Sequence, residues 1–222
     1  MASNSGKKSR GDYQPNSFKE VTPLNFIQGE YLEAIRQNEI IFGVGSAGTG
    51  KTYVAASYAA SELFHRRVSK VILTRPNIET GRGLGFLPGT LEEKYEPYLA
   101  PFDSIFNAAL GKGYYEYALK NKDIEPRPLG FLRGVTFDYS IVLVDEAQNL
   151  TKVETKMLLS RIGKNTKMIF SGDTEQADIP DSGLDDAIYR LQGIPGIETV
   201  RFRDEDIVRS KMCKAIIMAY RN

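Results

Sequence analysis

The sequence is poor in the residues that carry disulfide and metal chemistry, with one cysteine, one histidine and no tryptophan in 222 residues. Cys213 has no partner for an internal disulfide, and its place in an apolar helical pattern predicts a packed thiol. His65 lies beside two arginines at a predicted helix end, where a solvated cap is favoured over catalysis or metal binding. These scarcities argue against a disulfide scaffold and against a histidine-based metal centre.

Long apolar runs are also missing. None approaches the roughly 18 residues that a membrane-spanning helix needs, and the amino terminus lacks the apolar stretch of a signal peptide. The net charge of +1 gives no overall attraction to nucleic acid, so any such contact needs a local patch. The composition, with 41% hydrophobic and 26% charged residues, is that of a globular protein. We therefore expect a cytoplasmic protein with no membrane partner.

Apolar runs of strand length alternate with helical patterns along most of the chain. Residues 1–17 lack periodicity and predict a flexible tail, whereas 18–222 predict one domain. Strands are predicted at 40–44, 70–74, 141–144, 168–171 and 199–202, and helices at 23–38, 51–64, 151–162, 183–191 and 205–220. This alternation predicts an α/β fold in which helices cover both faces of a parallel sheet.

Three stretches carry further expectations. Thr22 is predicted to cap the first helix. The interval 76–139 does not alternate, and it is predicted to be an insertion between the second and third strands that supplies substrate contacts. The last helix is predicted to present one apolar stripe, formed by Val208, Met212, Ala215, Ile216 and Ala219.

A glycine-rich segment between the first predicted strand and the second predicted helix fits the pattern G-x-x-x-x-G-K-[ST]. Its glycines let backbone N–H groups turn towards phosphates, and the helix start adds partial positive charge. Lys51 is expected to reach the terminal phosphates, and Thr52 to bind Mg²⁺. The segment therefore predicts a nucleoside triphosphate site formed by Gly45, Ser46, Ala47, Gly48, Thr49, Gly50, Lys51 and Thr52.

Two acids, Asp145 and Glu146, directly follow the apolar strand at 141–144, at the edge where open parallel sheets bind ligands. Asp145 is predicted to hold Mg²⁺ through water, and Glu146 to orient and deprotonate the attacking water. The alternative is a helix cap or a surface pair. After the next strand, Gln176 is predicted to contact both the γ-phosphate and that water, with a plain polar turn as the alternative.

Six blocks beyond the phosphate loop resemble the PhoH-like ATPases in order, over about residues 20 to 222. They are Leu73-Thr74-Arg75-Pro76, Leu84-Gly85-Phe86-Leu87-Pro88-Gly89, Pro128-Leu129 with Arg133-Gly134, Val144-Asp145-Glu146-Ala147-Gln148-Asn149, Gly172-Asp173 with Gln176, and Asp206-Ile207-Val208-Arg209. The resemblance implies a RecA-like domain similar to the first motor domain of superfamily 1 helicases. It also implies that the Met168 strand separates the phosphate-loop strand from the acid-bearing strand.

The resemblance implies roles for further side chains. Gln28 resembles the glutamine with which such helicases read adenine, which favours ATP over GTP; the alternative is an exposed helix glutamine. Arg209 resembles an arginine finger, worth about 10³ to 10⁵ in rate, with a structural salt bridge as the alternative. Lone helicase motors take this arginine from a second motor domain, so the resemblance implies a neighbouring subunit and a ring such as a hexamer. Arg75 and Arg133 are second-rank candidates for phosphate or inter-subunit contact.

The sequence thus favours an ATP-driven motor that associates with nucleic acid and acts on single-stranded RNA. Candidate stacking and phosphate contacts in the insertion are Tyr95, Tyr98, Tyr114, Tyr115, Lys112 and Arg127. The rival hypothesis is a nucleotide-dependent assembly or regulatory module without unwinding activity. A small-molecule kinase is disfavoured, because a carboxylate placed to activate water suits hydrolysis.

Overall fold

Six parallel strands form the central sheet of the computed structural model, which describes residues 18–76 and 91–220. Their order across the sheet is β3-β2-β4-β5-β1-β6. Four of them are almost wholly buried, as expected for parallel strands with both faces covered. The strands are β1 (Ile40–Gly45), β2 (Lys70–Thr74), β3 (Ile124–Pro126), β4 (Ser140–Val144), β5 (Lys167–Gly172) and β6 (Ile197–Phe202).

Helices cover both faces of this sheet, as the sequence predicted. Successive strand side chains point to opposite faces, so Ile41 joins the core that includes α1 to α4, while Phe42 joins the core that includes α5 and α6. The α/β architecture is therefore confirmed. The described helices are α1 (Phe26–Gln37), α2 (Lys51–Phe64), α3 (Leu91–Leu110), α4 (Lys112–Lys120), α5 (Lys152–Leu159), α6 (Gly183–Leu191) and α7 (Lys211–Tyr220).

The strand order decides which loops meet. β5 lies between β1, which leads into the glycine-rich loop, and β4, which ends before the two acids. This is the RecA-like order that the resemblance implied, and it is confirmed. Because all three strands run in the same direction, their carboxyl ends bring 45–52, Asp145 and Asp173 to one edge of the sheet.

The interval 76–139, which was predicted to be an insertion, contributes a strand to the central sheet. It contains α3, α4 and β3, and β3 pairs with β2 through Val71 opposite Ile124 and Leu73 opposite Pro126. The sheet therefore has an edge strand that the sequence did not predict, and the acid-bearing strand is the fourth. The three residues of β3 end in a proline, which removes a backbone donor and weakens any strand pattern.

The first helix begins later than predicted. Its cap is Asn25 instead of Thr22, since the Asn25 side chain accepts a hydrogen bond from the backbone N–H of Gln28 at 3.0 Å. An asparagine cap satisfies one of the free donors at the helix start, so α1 begins at Phe26.

The last helix also begins later, at Lys211 instead of 205. A 3-10 turn occupies Asp204–Asp206, and the backbone N–H of Val208 then donates to the carbonyl of Gly48 at 3.1 Å. This contact with the glycine-rich loop uses a donor that a continuous helix would bond internally. The predicted helix was wrong here because a tertiary contact overrides the local helical pattern.

The apolar stripe predicted for the last helix is exposed in this chain, and its first residue, Val208, precedes α7. The exposed fractions are 39% for Val208, 70% for Met212 and 52% for Ile216. Cys213 is only partly buried, so the prediction of a fully packed thiol was wrong. The stripe remains an unpaired apolar surface among the described residues.

Some predictions fall outside the described residues. These are the tail at 1–17, the block at 84–89 and the side chains of Tyr95 and Tyr98. Within the described ranges, every helix is too short or too polar to cross a lipid bilayer.

Candidate active site

The loop between β1 and α2 curls tightly because its glycines adopt positive φ angles. The φ angles of Gly48 and Gly50 are 79° and 90°, in the region that side chains other than glycine adopt rarely. A Cβ on Gly48 would approach the Arg209 side chain to 2.8 Å, and one on Gly50 would collide with the Gln28 amide. Glycine therefore lets the loop pass close beneath Gln28 and Arg209.

The Lys51 ammonium lies against the loop backbone. Its Nζ donates to the carbonyl of Gly45 at 2.6 Å and to that of Ser46 at 2.8 Å. Burial lowers the pKa of Lys51 from 10.5 to about 8, although nearby carboxylates, Asp173 foremost, oppose the shift. Lys51 is thus a buried cation that loses its proton more readily than an exposed lysine. It lies at the loop where phosphates are expected.

The two predicted metal ligands meet at the sheet edge. The Thr52 hydroxyl donates to the Asp145 carboxylate with a separation of 3.1 Å between Oγ1 and Oδ1. Burial raises the pKa of Asp145, the neighbouring Glu146 adds to this effect, and Thr52 and Arg75 oppose it. A cation placed between Thr52 and Asp145 would relieve this unfavourable burial of charge.

Glu146 adopts a left-handed backbone conformation, with φ at 51°, two residues after the end of β4. Its carboxylate accepts a hydrogen bond from Nε2 of Gln148 at 2.7 Å, and Oε1 of Gln148 accepts one from the backbone N–H of Asp173 at 3.1 Å. Gln148 is buried and so links the residues after β4 to those after β5. Gln148 had no predicted role, and its only signal in the sequence is a polar amide two residues after Glu146.

Gln176 lies in the turn after β5 and is exposed. Its Nε2 donates to Oδ2 of Asp173 at 2.9 Å, and its backbone N–H donates to the Asp173 carbonyl at 2.9 Å. The buried Asp173 thus fixes the position of Gln176. A side chain held in this way faces the loop and the acids across a shared cavity.

Gln28 is fully buried, so the alternative of an exposed helix glutamine was wrong. Its Nε2 donates to the carbonyl of Thr49 at 2.9 Å, and its Oε1 accepts from the backbone N–H of Leu24 at 2.9 Å. The side chain therefore ties the start of α1 to the glycine-rich loop. Adenine recognition by Gln28 stays a prediction.

The segment 203–209 lies across the outer side of the loop. The Ser46 hydroxyl donates to the Asp204 carboxylate, and the Asn25 side-chain amide donates to the carbonyl of Asp206 at 3.1 Å. These contacts join the loop, α1 and the carboxyl end of β6 into one unit.

Arg209 follows directly in this segment, and its side chain lies over Gly48 of the same chain. Arg209 forms no ion pair among the described residues, so its predicted alternative, a structural salt bridge, is not observed there. A neighbouring subunit is therefore not needed to bring this arginine to a phosphate loop.

A cavity of about 510 Å³ collects most of the predicted residues. Four of the predicted residues do not line it, namely Gly45, Ser46, Thr49 and Gln28. The cavity is lined by residues from the loop, α2, α3, the strand ends and the last segment, including Ala47, Gly48, Gly50, Lys51, Thr52, Asp145, Glu146, Asp173, Gln176 and Arg209.

Several second-rank candidates lie elsewhere or are already engaged. Arg133 is exposed and does not line this cavity. Tyr115 is buried and donates to Asp103, so its predicted role in base stacking was wrong. Arg127 pairs with Glu125 at 2.8 Å. Tyr115 and Arg127 therefore support the fold instead of the predicted contacts.

Curated relatives cover nearly the whole of this chain. It is 44% identical over 205 residues to the PhoH-like protein of Bacillus subtilis, covering 91% of this chain and 64% of that protein. It is 40% identical over 210 residues to Protein PhoH of Escherichia coli K12, covering 91% of this chain and 59% of that protein. The chain thus spans about three fifths of the length of these relatives.

Solved structures resemble the chain more distantly. The Pif1 helicase from Candida albicans matches with a TM-score of 0.43 and 14% identity, over 82% of this chain and 40% of that one. A crystal structure described as a DNA replication initiation factor matches with a TM-score of 0.34 and 17% identity, over 88% and 50%. The family model for PhoH-like protein matches residues 20–221, so the chain belongs to the PhoH-like protein family.

Proposed function

We propose that this chain is an ATPase that hydrolyses ATP with Mg²⁺ and acts on single-stranded RNA. The observation that carries the proposal is the 3.1 Å hydrogen bond between Thr52 and Asp145, with Glu146 on the same cavity wall. It joins the end of the glycine-rich loop to the acid-bearing strand. A site that only bound phosphate would not need the two acids.

The residues present fit Mg²⁺. Magnesium prefers oxygen ligands and is often bound through one or two carboxylates together with phosphates and water. Thr52 and Asp145 offer a hydroxyl and a carboxylate oxygen on adjoining walls. Bound there, Mg²⁺ would neutralise charge on the phosphates.

The chain's own groups divide the remaining work. Lys51 supplies a positive charge beside the phosphates, and Arg209 supplies a second one from the far side of Gly48. Glu146 accepts a proton as water attacks the γ-phosphorus and the bond to the β-phosphate oxygen breaks. Gln148 orients that carboxylate through its 2.7 Å hydrogen bond.

The nucleic-acid part rests on side chains outside this cavity. Of the candidates in 76–139, Lys112 is exposed and Tyr114 is partly exposed on α4. Basic and aromatic side chains of this kind bind single strands through phosphate pairing and base stacking. A cytoplasmic location agrees with this role and stays a prediction.

A turnover assay with and without single-stranded RNA and DNA tests the proposal. We expect RNA to raise turnover, and Glu146→Gln to lower it about 10²- to 10⁴-fold, as expected for loss of a general base. Glu30→Gln is the matched control, because Glu30 is exposed on α1 and undergoes the same charge change. Equal turnover in the two variants contradicts catalysis by Glu146. Indifference to RNA, together with no binding at low salt, contradicts the nucleic-acid part.

A second function, nucleotide-dependent assembly, is favoured by one observation. Met212 and Ile216 expose an apolar stripe on α7, which follows the segment that crosses the loop. A self-associating ring could bury this stripe. Mass photometry with and without ATP tests it, and Met212→Lys should shift any oligomer towards monomer. An unchanged mass distribution in that variant contradicts assembly through α7.

A further inference from the structure

A second cavity, of about 410 Å³, lies at the amino-terminal ends of the strands, whereas the nucleotide site lies at their carboxyl ends. Ser69, Asp123 and Tyr139 line it, and each directly precedes a strand of the parallel sheet. The carboxyl-terminal end of α2 also contributes to its wall, whereas Lys51 begins α2 at the nucleotide site. The 14 residues of α2 place the two sites about 20 Å apart.

Tyrosine rings form much of this cavity's wall. Tyr114 and Tyr117 of α4 have ring centroids 6.2 Å apart, and Tyr114 contacts Phe64 with centroids 6.3 Å apart. Tyr139 lies on another wall and is 50% exposed. Tyrosines backed by the core and open to solvent on one side are suitable platforms for stacking a planar ring.

Two residues of this cavity have unusual backbone conformations. Arg66 has a φ of 57° and Tyr139 a φ of 50°, in the left-handed region that glycine occupies most readily. The backbone of Tyr139 is fixed there, because its N–H donates to Lys164 and its carbonyl accepts from Ser69, both at 2.7 Å. The same region is occupied by Glu146 in the nucleotide site. Residues held in this way often mark functional sites.

The cavity also has one available cation. Arg67 forms a two-pronged contact with Glu62, with Nε and Nη2 at 3.0 and 2.7 Å from its carboxylate. Arg66 forms no ion pair within the described ranges, and its charge is close enough to Tyr114 to oppose the rise in that hydroxyl's pKa caused by burial. An exposed guanidinium beside aromatic rings suits a phosphate next to a stacked base.

We propose that this cavity binds one nucleotide unit, with its base against the tyrosines and its phosphate on Arg66. The Asp123 carboxylate would accept a hydrogen bond from an exocyclic amino group, which favours cytosine over uracil. The proposal rests on the proposed association with single-stranded RNA and gives it a location. The unit could belong to an RNA strand or to a free nucleotide, and the volume suits either.

Fluorescence anisotropy with labelled oligo(C) and oligo(U), in the absence of ATP, tests the proposal. We expect Arg66→Gly and Tyr139→Gly each to weaken oligo(C) binding about tenfold, since the first removes a phosphate contact and the second a stacking platform. Glycine suits both backbone positions, so the melting temperature should be retained. Lys122→Gly is the matched control, because Lys122 also has a left-handed φ, of 60°, and carries the same charge but does not line the cavity.

The outcomes separate this proposal from the proposed function. If the wild type binds oligo(C) and both cavity variants bind it as well as Lys122→Gly does, the cavity proposal is overturned alone. If the wild type binds neither an oligonucleotide nor CMP, the RNA association fails as well. If the wild type binds CMP but not oligo(C), and Arg66→Gly loses the binding of CMP, the source is a free nucleotide. Basal ATP turnover should be unchanged in both cavity variants, which supports a site separate from the catalytic one.

Discussion

The side-chain amide of Gln148 donates to the Glu146 carboxylate at 2.7 Å, and its carbonyl accepts from the backbone N–H of Asp173 at 3.1 Å. One buried glutamine thereby fixes the proposed general base relative to the turn that carries Gln176. The ends of β4 and β5 cannot shift independently without breaking one of these bonds. The proposed catalytic geometry at Glu146 therefore depends on a residue that contacts neither the phosphates nor the attacking water.

Gln148→Leu should lower kcat about 10- to 100-fold while the KM for ATP changes little. The leucine fills the same space but leaves Glu146 without its positioning hydrogen bond. Steady-state turnover measures both constants. Gln37→Leu, an exposed position on α1, is the control for the change of residue type. A 10- to 100-fold rise in the KM for ATP with unchanged kcat would show instead that Gln148 affects the binding of ATP.

The pH dependence of ATP binding should reflect Lys51. Burial lowers its pKa to about 8 in the folded chain from 10.5, so its charge is lost as the pH rises through about 8. The affinity for Mg-ATP should fall above that pH. Because phosphates favour the charged lysine, binding near pH 8 should take up protons, which calorimetry in buffers of different ionisation enthalpy detects.

The same shift acts on stability with the opposite sign. Between about 8 and 10.5, the unfolded chain holds a proton on Lys51 that the folded chain lacks, so this group's contribution to stability grows with rising pH. Lys51→Arg should remove proton uptake on binding, since arginine does not titrate there. Persistent uptake in Lys51→Arg would assign the proton to another group.

Gln28→Ala should lower the free energy of unfolding by about 1 to 3 kcal/mol, because it leaves the buried Thr49 carbonyl and the Leu24 N–H without their partner. Denaturant unfolding measures this loss. If Gln28 also reads adenine, the affinity for ATP should fall more than that for GTP. Equal losses of affinity for ATP and GTP would show that Gln28 only stabilises the loop and the start of α1.

Arg209→Ala should lower turnover about 10³-fold or more, because it removes a positive charge from the transferred phosphoryl group. Arg209 lies over Gly48 of its own chain, so we expect no recovery when Arg209→Ala subunits are mixed with Lys51→Ala subunits. Recovery in the mixture would show that the arginine acts across an interface, as the resemblance to helicase motors implied.

The sequence predicted the elements whose boundaries are set locally. α2 starts at Lys51 and ends at Phe64 as predicted, because a glycine-rich loop precedes it and its alanines favour helix. β2 matches as well, since it is a short apolar run between polar neighbours. The positions of Lys51, Thr52 and Asp145 follow from these elements and from the parallel sheet.

The elements that the sequence missed depend on contacts between distant segments. β3 forms only because it pairs with β2, and α7 starts late because Val208 bonds to Gly48. None of the sequence motifs assigns a role to Gln148. Its role depends on contacts that form only when the ends of β4 and β5 lie side by side. Such residues are determined by tertiary structure, which one sequence does not display.

Calorimetric titration of Glu146→Gln with ATP, with and without Mg²⁺, tests the central claim most directly. This variant should retain the Thr52 and Asp145 pair while hydrolysing little nucleotide during the titration. We predict saturable binding of Mg-ATP that weakens when the metal is chelated. This binding should disappear in the double variant that combines Glu146→Gln with Lys51→Ala. Absence of any binding of Mg-ATP by the folded variant would contradict the account.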